Sequence, residues 1–349
     1  AQALSRLDAE MELVIIAQTA GAQRLNLGGS TRTKLLVQPD RSPIQRLLWE
    51  QVSLPGLLIN EGVDLLHSPH YTLPVRLKAP SVVTIHDLSF FRYPHLHLSS
   101  KRLLFHNFIR ISSRRGAAII TVSESTRQEL LQITRISPRK VHTIHEGVTP
   151  DFHPIRDAQL IQTVRKRYHL PETFMLFVGL IEPRKNLVDL LSAIHIASKQ
   201  DNDFYFVIVG RTGWQVNQVF KTVEQLGLKS RVIFTGYIPQ EDLPVLYNMS
   251  RFFIYPSQYE GFGLPILEAM ACGTPVITTQ VSSMPEITGE AAMLIPLGDV
   301  ETLALSIKRL WHDADLRQMM SKQGLQRAAG FSWNRAAQQT LDVYRYVLG

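Results

Sequence analysis

The amino-acid sequence predicts an α/β protein built from two doubly wound units in tandem. Short β-branched runs alternate with longer amphipathic stretches along the chain, the pattern of parallel sheets covered by helices. At 349 residues the chain exceeds the roughly 250–300 that a single hydrophobic core supports. Pro and Asp interrupt the alternation between Pro150 and Pro154, which marks a boundary between units.

Taken in order, the first unit (1–153) offers strands at 13–17, 35–37, 64–67, 82–85, 118–122 and 141–144. The second (154–330) offers strands at 174–178, 205–209, 232–235, 252–255, 276–278 and 293–295. A closing segment, 331–349, places Trp333, Ala337, Leu341, Tyr344 and Leu348 at helical spacing and is expected as an amphipathic helix. Open sheets bind ligands beyond the carboxyl ends of their strands. A ligand is therefore expected in an inter-domain cleft, beside the loop that follows 252–255.

Composition narrows the function classes. Hydrophobic content of 45% and charged content of 19% are those of a soluble globular protein. No apolar run approaches the ~18 residues of a spanning helix, and no charged-then-apolar segment opens the chain, so a cytoplasmic location is expected, with the inner membrane face as a peripheral station. A lone Cys272 excludes an internal disulfide framework. Set between Ala271 and Gly273, it is expected as a small buried filler. Lys plus Arg number 37 against 30 Asp plus Glu, a formal charge of +7 that favours anionic ligands or surfaces. The basic residues are spread along the chain without a zinc-finger or RNP-like pattern, so nucleic acid is not an expected partner.

The segment from Glu260 to Glu268 reads EGFGLPILE, two carboxylates separated by a loop running into a helix. Gly261 and Gly263 permit a tight backbone with close ligand approach. Pro265 suits the first helical position, and Gly273 followed by Pro275 stops the helix after about two turns. A helix start of this kind offers amide donors and a positive dipole end to phosphate, while two carboxylates accept hydrogen bonds from hydroxyls. A phosphorylated, polyhydroxylated ligand fits both halves.

The run from Phe252 to Pro296, FFIYPSQYEGFGLPILEAMACGTPVITTQVSSMPEITGEAAMLIP, closely resembles the C-terminal half of the retaining glycosyltransferase family with a Glu-x7-Glu motif on a GT-B fold, family 4, group 1. Supporting phrases in matching order are TIHDLSFFRYP at 84–94, TVSESTRQEL at 121–130, EGV at 146–148, FVGLIEPRKNL at 177–187 and FTGYIPQEDLPVLY at 234–247. The resemblance implies two Rossmann-like domains, with the C-terminal helix crossing back to the first. It also implies that the usual first strand and glycine-rich loop are missing, since Ala1 to Leu7 align with the helix that follows them. A missing parallel strand would leave an unpaired sheet position.

For the site, the resemblance implies that Glu260 contacts the donor sugar's hydroxyls and Glu268 the nucleotide ribose. The backbone of Gly261, Phe262, Gly263 and Leu264 would line sugar and phosphates, and Lys185 falls on the family's phosphate-binding lysine. Many members carry arginine directly after the glycine at 179; here Leu180 follows Gly179, and Arg184 is expected to supply the charge. Placed at a strand-to-helix turn, Arg184 and Lys185 would neutralise the departing diphosphate. His86 matches the histidine that approaches donor sugar and phosphate. Gly236 and Tyr237 match the place where the nucleobase rests. Glu146 and Gly147 match an inter-domain turn, and Asp87 is expected to order the turn after His86. Simpler readings stand beside these: solvated helix-capping charges for Arg184 and Lys185, a first-turn helix acid for Glu268, a structural ring for His86.

Other signals are weaker. His67 and His70 have a plausible ligand spacing without acidic or cysteine companions, so no metal site is expected. Asp313-Ala-Asp315 is expected as a helix cap. The stretch 101–115, KRLLFHNFIRISSRR, reads as a core-packed helix with a basic outer face, with docking on an anionic membrane as the alternative.

The expected activity is hexosyl transfer with retention from a nucleotide diphosphate sugar, GDP-mannose favoured on the wording of HDLSF and EPRKN, to a glycan or lipid-linked acceptor. No cofactor and no divalent metal are expected. Two competitors stay open: a non-catalytic nucleotide-sugar-binding fragment, suggested by the missing loop, and a GT-B epimerase or phosphorylase, since fold does not dictate chemistry.

Overall fold

A computed structural model describes residues 2–7, 11–23, 25, 32–94, 99–200 and 203–349. The chain divides into two compact units, one formed by 1–147 with 332–349 and the other by 148–331.

In the first unit, β1 (Leu13–Gln18) and β2 (Thr33–Gln38) pair in parallel as a sheet of their own. The segment before them, expected to begin inside a helix, forms a 3-10 turn at Leu4–Arg6 without a side-chain cap. Nucleating a longer helix costs more than so short a piece returns. A second sheet runs β3 (Leu66–Ser68), β4 (Ser81–Ile85), β5 (Ala118–Thr121), β6 (Val141–Thr143) in chain order, every pair parallel. Alternation along these strands sends successive side chains to opposite faces. Val83, Ile85 and Ile119 pack with Leu88, Ile109 and Leu130 on one face. Val82, Ala118 and Ile120 pack on the other with Ala336, Leu341, Val343 and Tyr344 of the helix Trp333–Leu348. That chain-terminal helix is thus part of the first unit's core, with Trp333 and Leu348 on its exposed side. Its return requires Gly147, because a Cβ there would lie 2.2 Å from the Trp333 amide nitrogen.

The second unit holds one sheet of β7 (Met175–Val178), β8 (Phe206–Val209), β9 (Val232–Gly236), β10 (Phe252–Tyr255), β11 (Val276–Thr279) and β12 (Ala292–Ile295). The order is β12-β11-β10-β7-β8-β9, all pairs parallel. Every residue of β7, β8, β10 and β11 is buried, which is why these strands read as continuous apolar runs with helices on both faces. The order grows outward in both directions from the β7–β10 pair, so the topological switch lies between those two strands. The loops after β7 and β10 carry EPRKN and EGFG.

Candidate active site

Beyond Val178 the chain makes a 3-10 turn, Pro183–Lys185, and enters the helix Leu187–Ala197 through Asn186 in the left-handed region at φ 56°. Beyond Tyr255 it runs through Ser257 to Glu260, and Gly263, at φ 113°, starts the helix Leu264–Ala271 with Pro265 in its first turn. Cys272 ends that helix, and Gly273 at φ 76° turns the chain away, as the glycine signal predicts.

These adjacent loops bring Glu260, Arg184 and Lys185 into contact. Lys185 Nζ lies 2.6 Å from Glu260 Oε1, and Arg184 Nη1 lies 2.8 Å from Oε2. Ser257 Oγ donates to Oε1 at 2.6 Å, and Lys185 also donates to the Tyr255 hydroxyl at 2.5 Å. Three further guanidinium donors of Arg184 go to Glu182 Oε1, at 2.7 and 3.0 Å, and to the Tyr259 carbonyl. The carbonyl of Arg184 accepts from Gln258 N at 2.8 Å. Arg184 is therefore a buckle between the two loops. The solvated-charge reading of the pair fails: the side chains of Lys185 and Arg184 are only 6% and 21% exposed. Arg184, expected to supply charge to the leaving group, directs its fork at two carboxylates and a carbonyl. An ammonium has three donors, and Tyr255 and Glu260 take two from Lys185.

Burial alone would raise the Glu260 carboxyl, but the charges of Lys185 and Arg184 overcome it and hold it at about 2. Burial draws Lys185 below the ordinary lysine value, with Glu260 opposing. Glu260 is thus an ionised acceptor and not a proton donor. Its peptide is equally fixed: the amide donates to Ser282 Oγ at 2.9 Å, and the carbonyl accepts from Ser282 at 2.8 Å. The Ser283 hydroxyl donates to the Phe262 carbonyl at 2.6 Å. The hydroxyls of the loop after β11 thereby position Gly261, Phe262, Gly263 and Leu264, which follow Glu260 directly.

Glu268 has a different environment. It is the fifth residue of its helix and not a first-turn acid, which removes the dipole explanation. Burial raises its carboxyl to about 7, and the Tyr247 hydroxyl, donating to Oε2 at 3.0 Å, opposes this. Burial likewise pushes Cys272 up to about 12, as an inert filler should be.

Gly179 closes β7, its amide donating to the Val209 carbonyl at 2.9 Å, and Leu180 beyond it is exposed. Gly236, at φ 71°, ends β9, and its carbonyl accepts from Gly210 N at 2.8 Å. A Cβ on Gly210 would sit 1.9 Å from the Gly179 carbonyl oxygen, so the turns after β7, β8 and β9 touch through backbone. Tyr237 is 59% exposed, under the Arg211 guanidinium at 4.6 Å.

In the first unit, His86 follows β4. Its Nε2 lies 2.8 Å from the Pro69 carbonyl and its Nδ1 3.3 Å from Glu146 Oε1. Asp87 orders the next turn, accepting from the Ser89 amide and hydroxyl at 2.9 and 2.7 Å. His67 is structural: its nitrogens meet Tyr344 Oη at 2.5 Å and Thr84 Oγ1 at 2.8 Å. Asp313 caps the helix Ala314–Ala328 through the Leu316 amide. Sequence reasoning missed Glu182 and Ser257, which bond to Arg184 and Glu260 two and three residues on, and Tyr247, Tyr255, Ser282 and Ser283, whose roles follow from packing between elements distant in the chain.

The switch point of the parallel sheet thus carries a carboxylate clamped by two cations, followed by a glycine-led helix start. Residues 162–327 match the family model described as glycosyl transferases group 1, and residues 1–152 match that described as glycosyltransferase family 4. The chain belongs to this family and is a glycosyltransferase with the GT-B fold. It is 33% identical over 282 residues to the O-antigen chain mannosyltransferase B of Escherichia coli, covering 80% of this chain and 74% of that one. It is also 33% identical over 239 residues to the serotype-specific mannosyltransferase WbdA of Escherichia coli, covering 67% of this chain and 29% of WbdA. In fold it is similar to the sucrose-phosphate synthase of Thermosynechococcus elongatus, with TM-score 0.78 and 22% identity over 99% of this chain and 91% of that one. It is similar as well to Anabaena HepE in complex with UDP and glucose, with TM-score 0.72 and 19% identity over 90% and 86% of the two chains. Among the described residues no helix is long and apolar enough to cross a membrane.

Proposed function

We propose that this glycosyltransferase moves a mannosyl residue from GDP-mannose to a growing glycan or lipid-linked acceptor, with retained anomeric configuration and without a bound divalent ion. The observation that carries the reading is Glu260, an ionised carboxylate held by Lys185 and Arg184 at the β7–β10 switch. There it accepts hydrogen bonds from the donor sugar's hydroxyls, and Lys185 faces the diphosphate as its charge grows. The bond from C1 to the diphosphate oxygen breaks, and the acceptor oxygen bonds to C1 on the same face. The acceptor's proton passes to the departing phosphate oxygen. Glu268 holds the ribose hydroxyls, and Gly236 with Tyr237 receives the base. Mannose is favoured because the two Escherichia coli relatives are named as mannosyltransferases. An O-antigen chain, the acceptor class in one of those names, suits a glycan acceptor on the cytoplasmic face of a membrane. Leu103, Leu104 and Ile111, exposed on the helix Ser99–Arg115, support contact with anionic lipid there.

Calorimetric titration of the purified chain with GDP, UDP and ADP, with and without magnesium, tests the donor class. Metal-independent, saturable binding of GDP that is lost in Glu268→Ala is expected, followed by release of GDP from GDP-mannose in the presence of acceptor. Unchanged turnover in Glu260→Ala would remove that carboxylate from the site. Interconversion of sugar nucleotides without acceptor would replace transfer by epimerisation.

A further inference from the structure

His86 presents a problem of hydrogen-bond accounting. A neutral imidazole carries one N–H and one lone pair. Here Nε2 faces the Pro69 carbonyl at 2.8 Å, and Nδ1 faces Glu146 Oε1 at 3.3 Å. A carbonyl only accepts, and so does an ionised carboxylate. The Pro69 carbonyl fixes the hydrogen on Nε2, and the Glu146 carboxylate beside Nδ1 favours a second hydrogen there over a lone pair directed at an anionic oxygen. We infer that Glu146 is a positioning residue that locks His86 as an imidazolium at the carboxyl edge of the first unit's sheet. His86 then offers an anionic substrate oxygen a charged N–H donor and cannot act as a general base.

The surroundings agree. Burial alone would lower the His86 ring, but the contact with Glu146 and its charge reverse the sign and raise it, with Asp87 adding in the same direction. The other groups facing it leave the charge uncontested. His70, with its ring centroid 6.3 Å away, and His67 are both lowered to about 4, first by burial, and Arg46 acts on His70 in the same sense. Tyr71 meets the His86 ring edge-on at 6.4 Å. The His86 side chain is 39% exposed and that of Glu146 15%, so the cation is reachable while its counter-ion is sheltered. Nδ1–H stays on Glu146, and Nε2–H can exchange the Pro69 carbonyl for a ligand oxygen.

The functional half of this inference rests on the transferase reading, whereas the protonation state does not. Nitrogen-15 spectra of histidine-labelled protein, with His86 assigned by His86→Gln, report the ring in the free chain. Both ring nitrogens are expected to be protonated at pH 7, and in Glu146→Gln the titration midpoint is expected about one pH unit lower. A neutral ring at pH 7 in the unaltered protein, or a midpoint that Glu146→Gln leaves in place, overturns the inference. In kcat/KM, the alkaline limb should move to lower pH in Glu146→Gln, with about tenfold loss at pH 8 and little at pH 6. A uniform loss at all pH values would reduce Glu146 to a structural role. A charged ring that responds to Glu146→Gln in a protein turning over no sugar nucleotide would sustain the dyad and sink the transferase reading.

Discussion

Substituting Glu260 by Gln tests the central cluster through stability, independently of activity. The carboxyl falls from the ordinary 4.5 to about 2, which at about 1.4 kcal/mol for each pH unit corresponds to about 3 kcal/mol. Removing one partner of a buried ion pair costs a similar ~3–5 kcal/mol, because the other charge is stranded. Here Lys185 would be stranded, its side chain 6% exposed. The folded value is depressed, so this contribution is complete above pH 4.5 and is lost as pH falls towards 2. The affected unit is 148–331, a size for which 1 kcal/mol moves the midpoint by about 2–4 °C. Scanning calorimetry at pH 7 should show its transition about 6–12 °C lower in Glu260→Gln. Cys272, the chain's one cysteine and buried in the same unit, gives a second readout: thiol labelling under native conditions should quicken about a hundredfold. The double variant Lys185→Met/Glu260→Gln strands no charge and should recover at least half of the loss. A shift below about 1 kcal/mol by both readouts, or no recovery in the double variant, would refute the ion-pair account.

Four further substitutions have expected outcomes. Glu268, raised to about 7, binds a proton in the folded state that the unfolded chain releases near 4.5. It therefore stabilises below 4.5, loses that contribution as pH rises through about 7, and leaves Glu268→Gln more stable than the parent at pH 8. On the proposed ribose contact, which uses the carboxylate, calorimetric GDP affinity of the parent should rise across the same window and stay flat in Glu268→Gln. Gly210→Ala forces a Cβ to 1.9 Å from the Gly179 carbonyl and should lower the melting midpoint by several degrees. Gly56→Ala meets nothing within 4 Å in its helix and should be neutral or stabilising by up to ~1 kcal/mol. Tyr344→Phe deprives buried His67 of its 2.5 Å partner and should cost about 1–3 kcal/mol by urea titration while leaving GDP affinity unchanged.

The central strands β4, β5, β7, β8, β10 and β11 were legible because they are buried on both faces. A run such as Phe252–Tyr255 has no polar alternation to confuse it, and each expected strand is present with its ends displaced by at most two residues. Glu260 and Lys185 were legible for another reason: each sits within a few residues of a strand end, where glycine and proline punctuate the chain. Their contact was not legible, because 75 residues separate them and only the β7–β10 adjacency joins them. The same holds for Tyr247 and Glu268, and for His86 and Glu146, whose loops follow β4 and β6. Pairing across strand order also reassigns roles that local reading gave. Arg184, expected to supply charge to a leaving group, also clasps the two loops, because Glu182, two residues before it, and the Tyr259 carbonyl, 75 residues after it, accept from it. Glu146, read as part of a turn, becomes the counter-ion that decides what His86 can do. What one sequence yields is which groups stand at the strand ends; the order of the strands decides which of them meet, and therefore which are charged.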